Sequence, residues 1–328
     1  MSTFSLILPI RNSTTIVGPA AIETMSDTPS DLARLRTDID KIDDQLLTLL
    51  IERIGFVSRI AALKRVAAHH PAREAEIIRR LISRNHRAFP PAALVRMWRE
   101  LLGATTRAQG PFMIAVYAPP ETLGYWDLAR DHYGSLTTMT AYPSTAQVIR
   151  AVTDKRAAIG VLPMPQEGDV DAWWRHPLLA LDAAPRVITR LPFGSPGNAR
   201  SDGTAALAIG HSEREATGDD RTLIVTENTL HISHDSIKKT LLALGLECTL
   251  PAWCEQAGGA NTLIELDGFI ELTDRRIEDF KAQLGEDLQR IIPLGGYAVP
   301  LSAAELSTPP LPDFAQPAGT AATAAARG

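Results

Sequence analysis

The apolar residues Leu32, Leu35, Ile39, Ile42, Leu46, Leu49, Phe56, Ile60 and Leu63 recur at alternating three- and four-residue steps. That spacing predicts one amphipathic helix. Ser30 is the expected N-cap and Asp31 suits the first turn. The helix would hold about 38 residues and run about 55 Å, longer than a globule of its own segment is wide. Its stripe therefore needs cover from a partner helix, and a dimer is expected. One position in the series is not apolar: between Leu49 and Phe56 stands Arg53.

Two further helices are expected. One runs from Ala72 to Arg87, carrying Ile77, Ile78, Leu81 and Ile82. Pro90-Pro91 open the next, with Leu94, Met97, Trp98, Leu101 and Leu102, and Gly110-Pro111 stop it. Residues 30–110 thus read as an all-α domain. After them the period changes. FMIAVYA (112–118), AAIGVLPM (157–164) and TAALAIG (204–210) read as buried strands, with helices over 120–134 and 145–156. That alternation predicts a small α/β unit over 111–217. Strands in RTLIVTE (221–227), NTLIELDGFI (261–270) and RIIPLGGYAV (290–299) alternate with helices over 236–247 and 274–285. They predict a ferredoxin-like α+β domain over 218–300. Residues 301–328, rich in Ala, Pro and Gly, are expected to be a disordered tail, and residues 1–29 a disordered extension. MSTFSLILPI lacks a basic start and is too short to span a membrane, and the expected chain start is Met25.

Composition narrows the function classes. The 328 residues are 45% hydrophobic and 22% charged, with a net charge of −5. Nothing in that balance suggests a nucleic-acid or membrane partner. Two cysteines, Cys248 and Cys254, make no disulfide framework, and a cytoplasmic location is expected. No His/Cys cluster argues for a metal, no cofactor is expected, and His69-His70 read as solvated loop.

The helical charges are more informative. Arg53 and Lys64 are eleven residues apart, so they differ in direction by only about 20° and lie about 16 Å apart along the axis. Two cationic arms on one face can grip a small anion. Arg36 points about 100° away from Arg53 and lies about 25 Å from it. It would reach the same ligand only from a second, antiparallel copy. Arg73-Glu74 open the second helix, and Thr105 and Gln109 share a face four residues apart near the end of the third. Each has an ordinary explanation taken singly: an arginine snorkelling or ion-paired, a lysine at a helix end, a solvated surface pair. Together they offer cations, one carboxylate and two neutral hydrogen-bonding groups on inward faces.

LRTDIDKIDDQLLTLLIERIGFVSRIAALK resembles the first helix of the all-helical chorismate mutases, and the resemblance continues through PARE and the Thr105–Gln109 pair to cover residues 30–110. It implies an intertwined homodimer with shared active sites that rearranges chorismate to prephenate, an isomerase step of aromatic amino acid biosynthesis. It implies roles too. Arg53 and Arg36 of the other subunit clamp carboxylates, Lys64 and Gln109 donate to the ether oxygen, Glu74 meets the ring hydroxyl, and Thr105 helps with a carboxylate. Arg73 stands at the family's arginine beside that glutamate. The loop between Lys64 and Arg73 is shorter than the family's and lacks its usual Asp.

The remainder resembles the later part of the bifunctional chorismate mutase–prephenate dehydratases. APPETLGYWDLA is similar to their opening GPEGTFSEQAA, AAIGVLPMPQEGDV to GVVPIENSxEG, TAALAIG to TRFLVIG, and LGGY to the ending of an ACT-type domain. The departures are large. Pro165-Gln166 replace Glu-Asn-Ser, and Ala205-Ala206 replace Arg-Phe after Thr204. Only 35 residues lie between Gly168 and Thr204, where the whole second lobe of the dehydratase belongs. Loss of water needs an acid for the departing hydroxyl, and no residue is identified for it. The expectation is a chorismate mutase with a degenerate dehydratase-like region and an ACT-like domain, without dehydratase activity. The alternatives are a true bifunctional enzyme and a non-catalytic regulator that binds an aromatic-pathway ligand.

Overall fold

The computed structural model describes residues 29–64, 69–85, 89–169, 171–194, 203–256 and 258–307. The expected start at Met25 and the segments 1–28 and 308–328 lie outside these residues. The chain divides into two compact units, one ending at Phe56 and the other beginning at Val57.

In the first unit the described residues belong to helix α1 (Pro29–Lys64), which continues past Phe56. Pro29 is its first residue, where a missing N–H costs nothing, so Ser30 lies inside the first turn and is not the expected cap. The stripe from Leu32 to Phe56 is exposed, with Leu49 at 60%. Leu47, Leu50, Ile51 and Ile54 are exposed as well, on other faces of the same turns.

The second unit adds helices α2 (Pro71–Asn85) and α3 (Pro91–Arg107), both opening on a proline. Then follow β1 (Met113–Tyr117), α4 (Gly124–Tyr133), β2 (Thr138–Tyr142), α5 (Thr145–Thr153), β3 (Ile159–Pro163), β4 (Arg186–Leu191) and β5 (Ala206–Gly210). The last part holds β6 (Asp220–Asn228), α6 (His234–Ala243), β7 (Cys248–Gln256), β8 (Gly259–Asp267), α7 (Arg275–Leu284), β9 (Leu288–Ala298) and the short α8 (Ala303–Leu306).

All nine strands join one sheet in the order β2-β1-β3-β5-β4-β9-β6-β8-β7. β1 pairs in parallel with β2 and with β3, the connections running through α4 and α5. β3, β5 and β4 are antiparallel neighbours. β6 pairs antiparallel with both β9 and β8, and β8 with β7. The expected boundary near residue 217 therefore falls within a continuous sheet. Its two halves meet at one register pair, Val187 opposite Gly295. A Cβ on Gly295 would stand 2.3 Å from the Val187 carbonyl oxygen, so only glycine permits that approach.

Nor does the core stop at residue 111. Ala75 and Ile78 of α2 and Val95 and Leu102 of α3 share a buried cluster with Phe193, Ala298 and Leu301. Arg79 ties α2 to the sheet, donating to the Thr217 hydroxyl at 2.8 Å and to the Asp219 and Val299 carbonyls at 2.8 and 2.7 Å. Residues 301–307, expected as the start of a tail, are ordered by this packing. Leu301 is buried, its N–H donates to the Phe193 carbonyl, and Ser302 and Glu305 form a capping box on α8.

Candidate active site

Four residues set the face that α3 buries. Val95, Arg99, Leu102 and Thr105 follow at four, three and three residues, one helical stripe with an arginine in it. Gly103 lets that face approach α4 closely, since a Cβ there would lie 2.1 Å from the Tyr133 carbonyl oxygen. Arg107 Nη1 donates to the Thr137 hydroxyl at 2.9 Å and Glu100 accepts from the Ser135 N–H at 3.0 Å, fixing the same register.

Arg99, 4% exposed, donates from Nη1 to Glu74 Oε2 at 2.9 Å. Glu74 Oε1 lies 3.5 Å from His69 Nε2. Burial pulls the Glu74 carboxyl upward, but His69, Arg99 and His70 outweigh it and leave its pKa below the ordinary value of 4.5. The carboxylate is thus held ionised inside the protein. The Arg99 guanidinium also sits 5.1 Å from the centre of the Phe193 ring. Burial, with Arg99 and His69 adding to it, keeps His132 well below its ordinary 6.5, and burial, with Glu74 adding to it, raises the Tyr133 hydroxyl.

His69 corrects the sequence reading. It is not solvated loop but 7% exposed, its ring 5.6 Å from both Phe112 and Tyr133. Arg99 was not foreseen either, although it interrupts the α3 stripe at the spacing by which Arg53 interrupts that of α1.

The foreseen residues fall as follows. Arg36 and Arg53 are in the first unit, Arg36 exposed and Arg53 half-buried. Lys64 is the last residue of α1, and its side chain lies outside what is described. Arg73 does not join Glu74; its Nη1 meets Glu76 Oε2 at 2.8 Å in an exposed pair one turn on. Thr105 is 4% exposed and its hydroxyl donates to the Leu102 carbonyl at 3.0 Å. A hydroxyl has one proton, so in this geometry Thr105 has none for a carboxylate. Gln109 lies two residues beyond the end of α3. Its Nε2 donates to the Thr105 carbonyl at 3.2 Å, leaving one N–H for another acceptor. Within the second unit the structure brings together Glu74, Arg99 and His69, and separately Thr105 and Gln109.

Residues 35–110 match the family model described as chorismate mutase type II, and this segment is a chorismate mutase domain of that type. The match spans Arg36, Arg53, Lys64, Arg73, Glu74, Thr105 and Gln109. Among curated proteins, the bifunctional chorismate mutase/prephenate dehydratase of Aquifex aeolicus (strain VF5) is 32% identical over 141 residues, 41% of this chain and 39% of that protein. The chain spans about two fifths of the length of the curated relatives it matches. Among solved structures, one described as "GqqA- a novel type of quorum quenching acylases" aligns with a TM-score of 0.44 at 15% identity, over 59% of this chain and 97% of that one. Prephenate dehydratase from Streptococcus mutans aligns with a TM-score of 0.40 at 13% identity, over 58% and 98%. Similarities of that size carry no argument about fold or function. No described helix is long and apolar enough to cross a membrane.

Proposed function

We propose that the chain is a chorismate mutase that converts chorismate to prephenate as a homodimer with shared active sites. The carrying observation is the family match over residues 35–110, which takes in all seven polar positions. The rearrangement is concerted and needs neither a nucleophile nor a proton transfer. A protein accelerates it by holding the flexible dianion in a compact chair-like geometry and by stabilising charge that builds on the ether oxygen. In this reading Arg53, with Arg36 from the second subunit, clamps the carboxylates. Lys64 and Gln109 donate to the ether oxygen. Glu74, kept ionised by His69 and Arg99, accepts from the ring hydroxyl. Thr105 joins a carboxylate once its bond to Leu102 is exchanged, and Arg73 contributes once it leaves Glu76.

The dimer is supported by α1. A helix whose middle turns carry large apolar residues over about half of its circumference needs that face covered, and Leu46, Leu47, Leu49, Leu50, Ile51 and Ile54 are all exposed in one chain. A second antiparallel copy would cover them and bring Arg36 to Arg53.

A second reading, a bifunctional mutase and prephenate dehydratase, is favoured by the curated relatives, which are bifunctional enzymes of that kind. The dehydratase positions at Pro165-Gln166 and Ala205-Ala206 speak against it. One assay separates these from a non-catalytic binder. Purified protein is given chorismate, and prephenate is followed; phenylpyruvate is then measured without acid treatment. Prephenate alone supports the main reading. Phenylpyruvate as well supports the second. Chorismate binding without turnover sinks both.

A further inference from the structure

Lys155 is the one described non-glycine residue with left-handed backbone, at φ 58°. It follows α5, where its N–H donates to the Val152 carbonyl and that of Arg156 to the Ala151 carbonyl, both at 2.9 Å. This is the two-bond helix ending whose left-handed position is usually glycine, because a Cβ there is strained. The backbone alone would favour glycine, yet the chain carries a lysine, with an arginine after it.

Both residues line an open cavity of about 620 Å³ at the amino ends of β1 and β3. This is the opposite edge from the carboxyl-end crevice where parallel sheets usually take ligands. The other walls include His69, His211, Phe112 and Met113. Among the described residues no carboxylate stands in the wall; Asp154 pairs with Arg156 at 3.4 Å on the exposed side. Ser212 holds the His69 backbone in place, its hydroxyl donating to the His69 carbonyl at 2.7 Å. Volume, one-signed charge and an apolar side together describe a ligand site, with a strained lysine kept for its charge.

We propose that this cavity binds a small organic carboxylate with a planar apolar body, its charge met by Lys155 and Arg156 and its body by Phe112 and Met113. The cavity abuts the proposed mutase site at His69, whose Nε2 lies 3.5 Å from Glu74 Oε1, but none of the seven residues assigned to chorismate lines it. Its test uses the full chain and benzoate, with benzyl alcohol as the neutral analogue and inorganic phosphate as the bare anion, titrated by calorimetry or ligand-observed NMR. Benzoate binds saturably and more tightly than either control. Lys155→Gly weakens it about tenfold, the loss of one charge-assisted contact, while the melting temperature stays level or rises as the turn relaxes. Lys155→Met, which keeps the strained backbone but not the charge, weakens benzoate to the same degree. No saturable benzoate binding, parental affinity for benzoate in either variant, phosphate binding as tightly as benzoate, or a lower melting temperature in Lys155→Gly would each overturn the proposal.

Discussion

Arg99 Nη1 lies 2.9 Å from Glu74 Oε2 in the interior of the second unit, joining α3 to the start of α2. Removing one partner of a buried pair strands the charge of the other, which costs more than the pair itself contributes. Glu74→Gln keeps a hydrogen-bond acceptor but gives Arg99 no counter-charge. It should lower unfolding stability at pH 7 by about 3 kcal/mol, read as a shift of the urea midpoint at unchanged slope.

The same carboxyl predicts an acid limb. Its folded pKa lies below the ordinary 4.5, so on acidification the unfolded chain takes up the proton first. Stability contributed by Glu74 is complete above that value and is lost as pH falls from it through the folded pKa. His132 acts in the same direction from a higher starting point. Its folded pKa is well below 6.5, so the unfolded chain protonates there while the folded chain does not. Stability should therefore begin to fall below about pH 6.5 and fall more steeply below 4.5. Urea midpoints from about pH 8 down to about pH 3 should show His132→Leu lacking the upper limb and Glu74→Gln lacking the lower one.

Gly103 sets the approach of α3 to α4. Its missing Cβ would lie 2.1 Å from the Tyr133 carbonyl oxygen, a backbone atom that cannot swing aside. Gly103→Ala should improve helix propensity yet destabilise the protein by about 1–3 kcal/mol through overpacking. A urea midpoint at or above that of the parent would contradict this packing.

The residues behind these predictions differ in how far the sequence exposes them. The α1 stripe and its interruption at Arg53 are visible because helical period acts over a single stretch of chain. Arg99 is visible by the same rule, between Val95 and Leu102, to anyone applying it to α3. His69 is not, because its burial comes from Phe112 and Tyr133, far away in sequence. Short strands suffer likewise. β2 is an edge strand with largely exposed residues, β4 carries Arg186 and Arg190 among few apolar residues, and β7 contains Pro251 within a break in register. Each looks like loop until its neighbours are placed. The sheet also hides the boundary expected near residue 217, since Val187 meets Gly295 only through tertiary pairing.

Gln109 in the proposed site stays neutral at every working pH and donates without a titration step. Gln109→Glu donates only while protonated, so its activity should be highest in acid and fall as the carboxyl ionises. Neutral-pH turnover of chorismate unchanged from the parent would remove Gln109 from the reacting atoms.

Shared sites make the strongest demand on α1. Arg36 and Arg53 lie on one helix, about 100° apart in direction and about 25 Å apart along the axis, too far for one small ligand. If each site takes Arg53 from one subunit and Arg36 from the other, Arg53→Ala and Arg36→Ala homodimers should each lose about 100-fold or more in kcat/KM. A heterodimer of the two variants then pairs the intact Arg53 of one subunit with the intact Arg36 of its partner, and places both alanines in the other site. Random reassembly of an equal mixture gives heterodimers for half the dimers, each with one complete site in two. Roughly a quarter of parental activity should return after joint unfolding and refolding, by the symmetry of a two-fold assembly. A mixture that stays as inactive as its components would show that the two arginines do not serve one site across subunits.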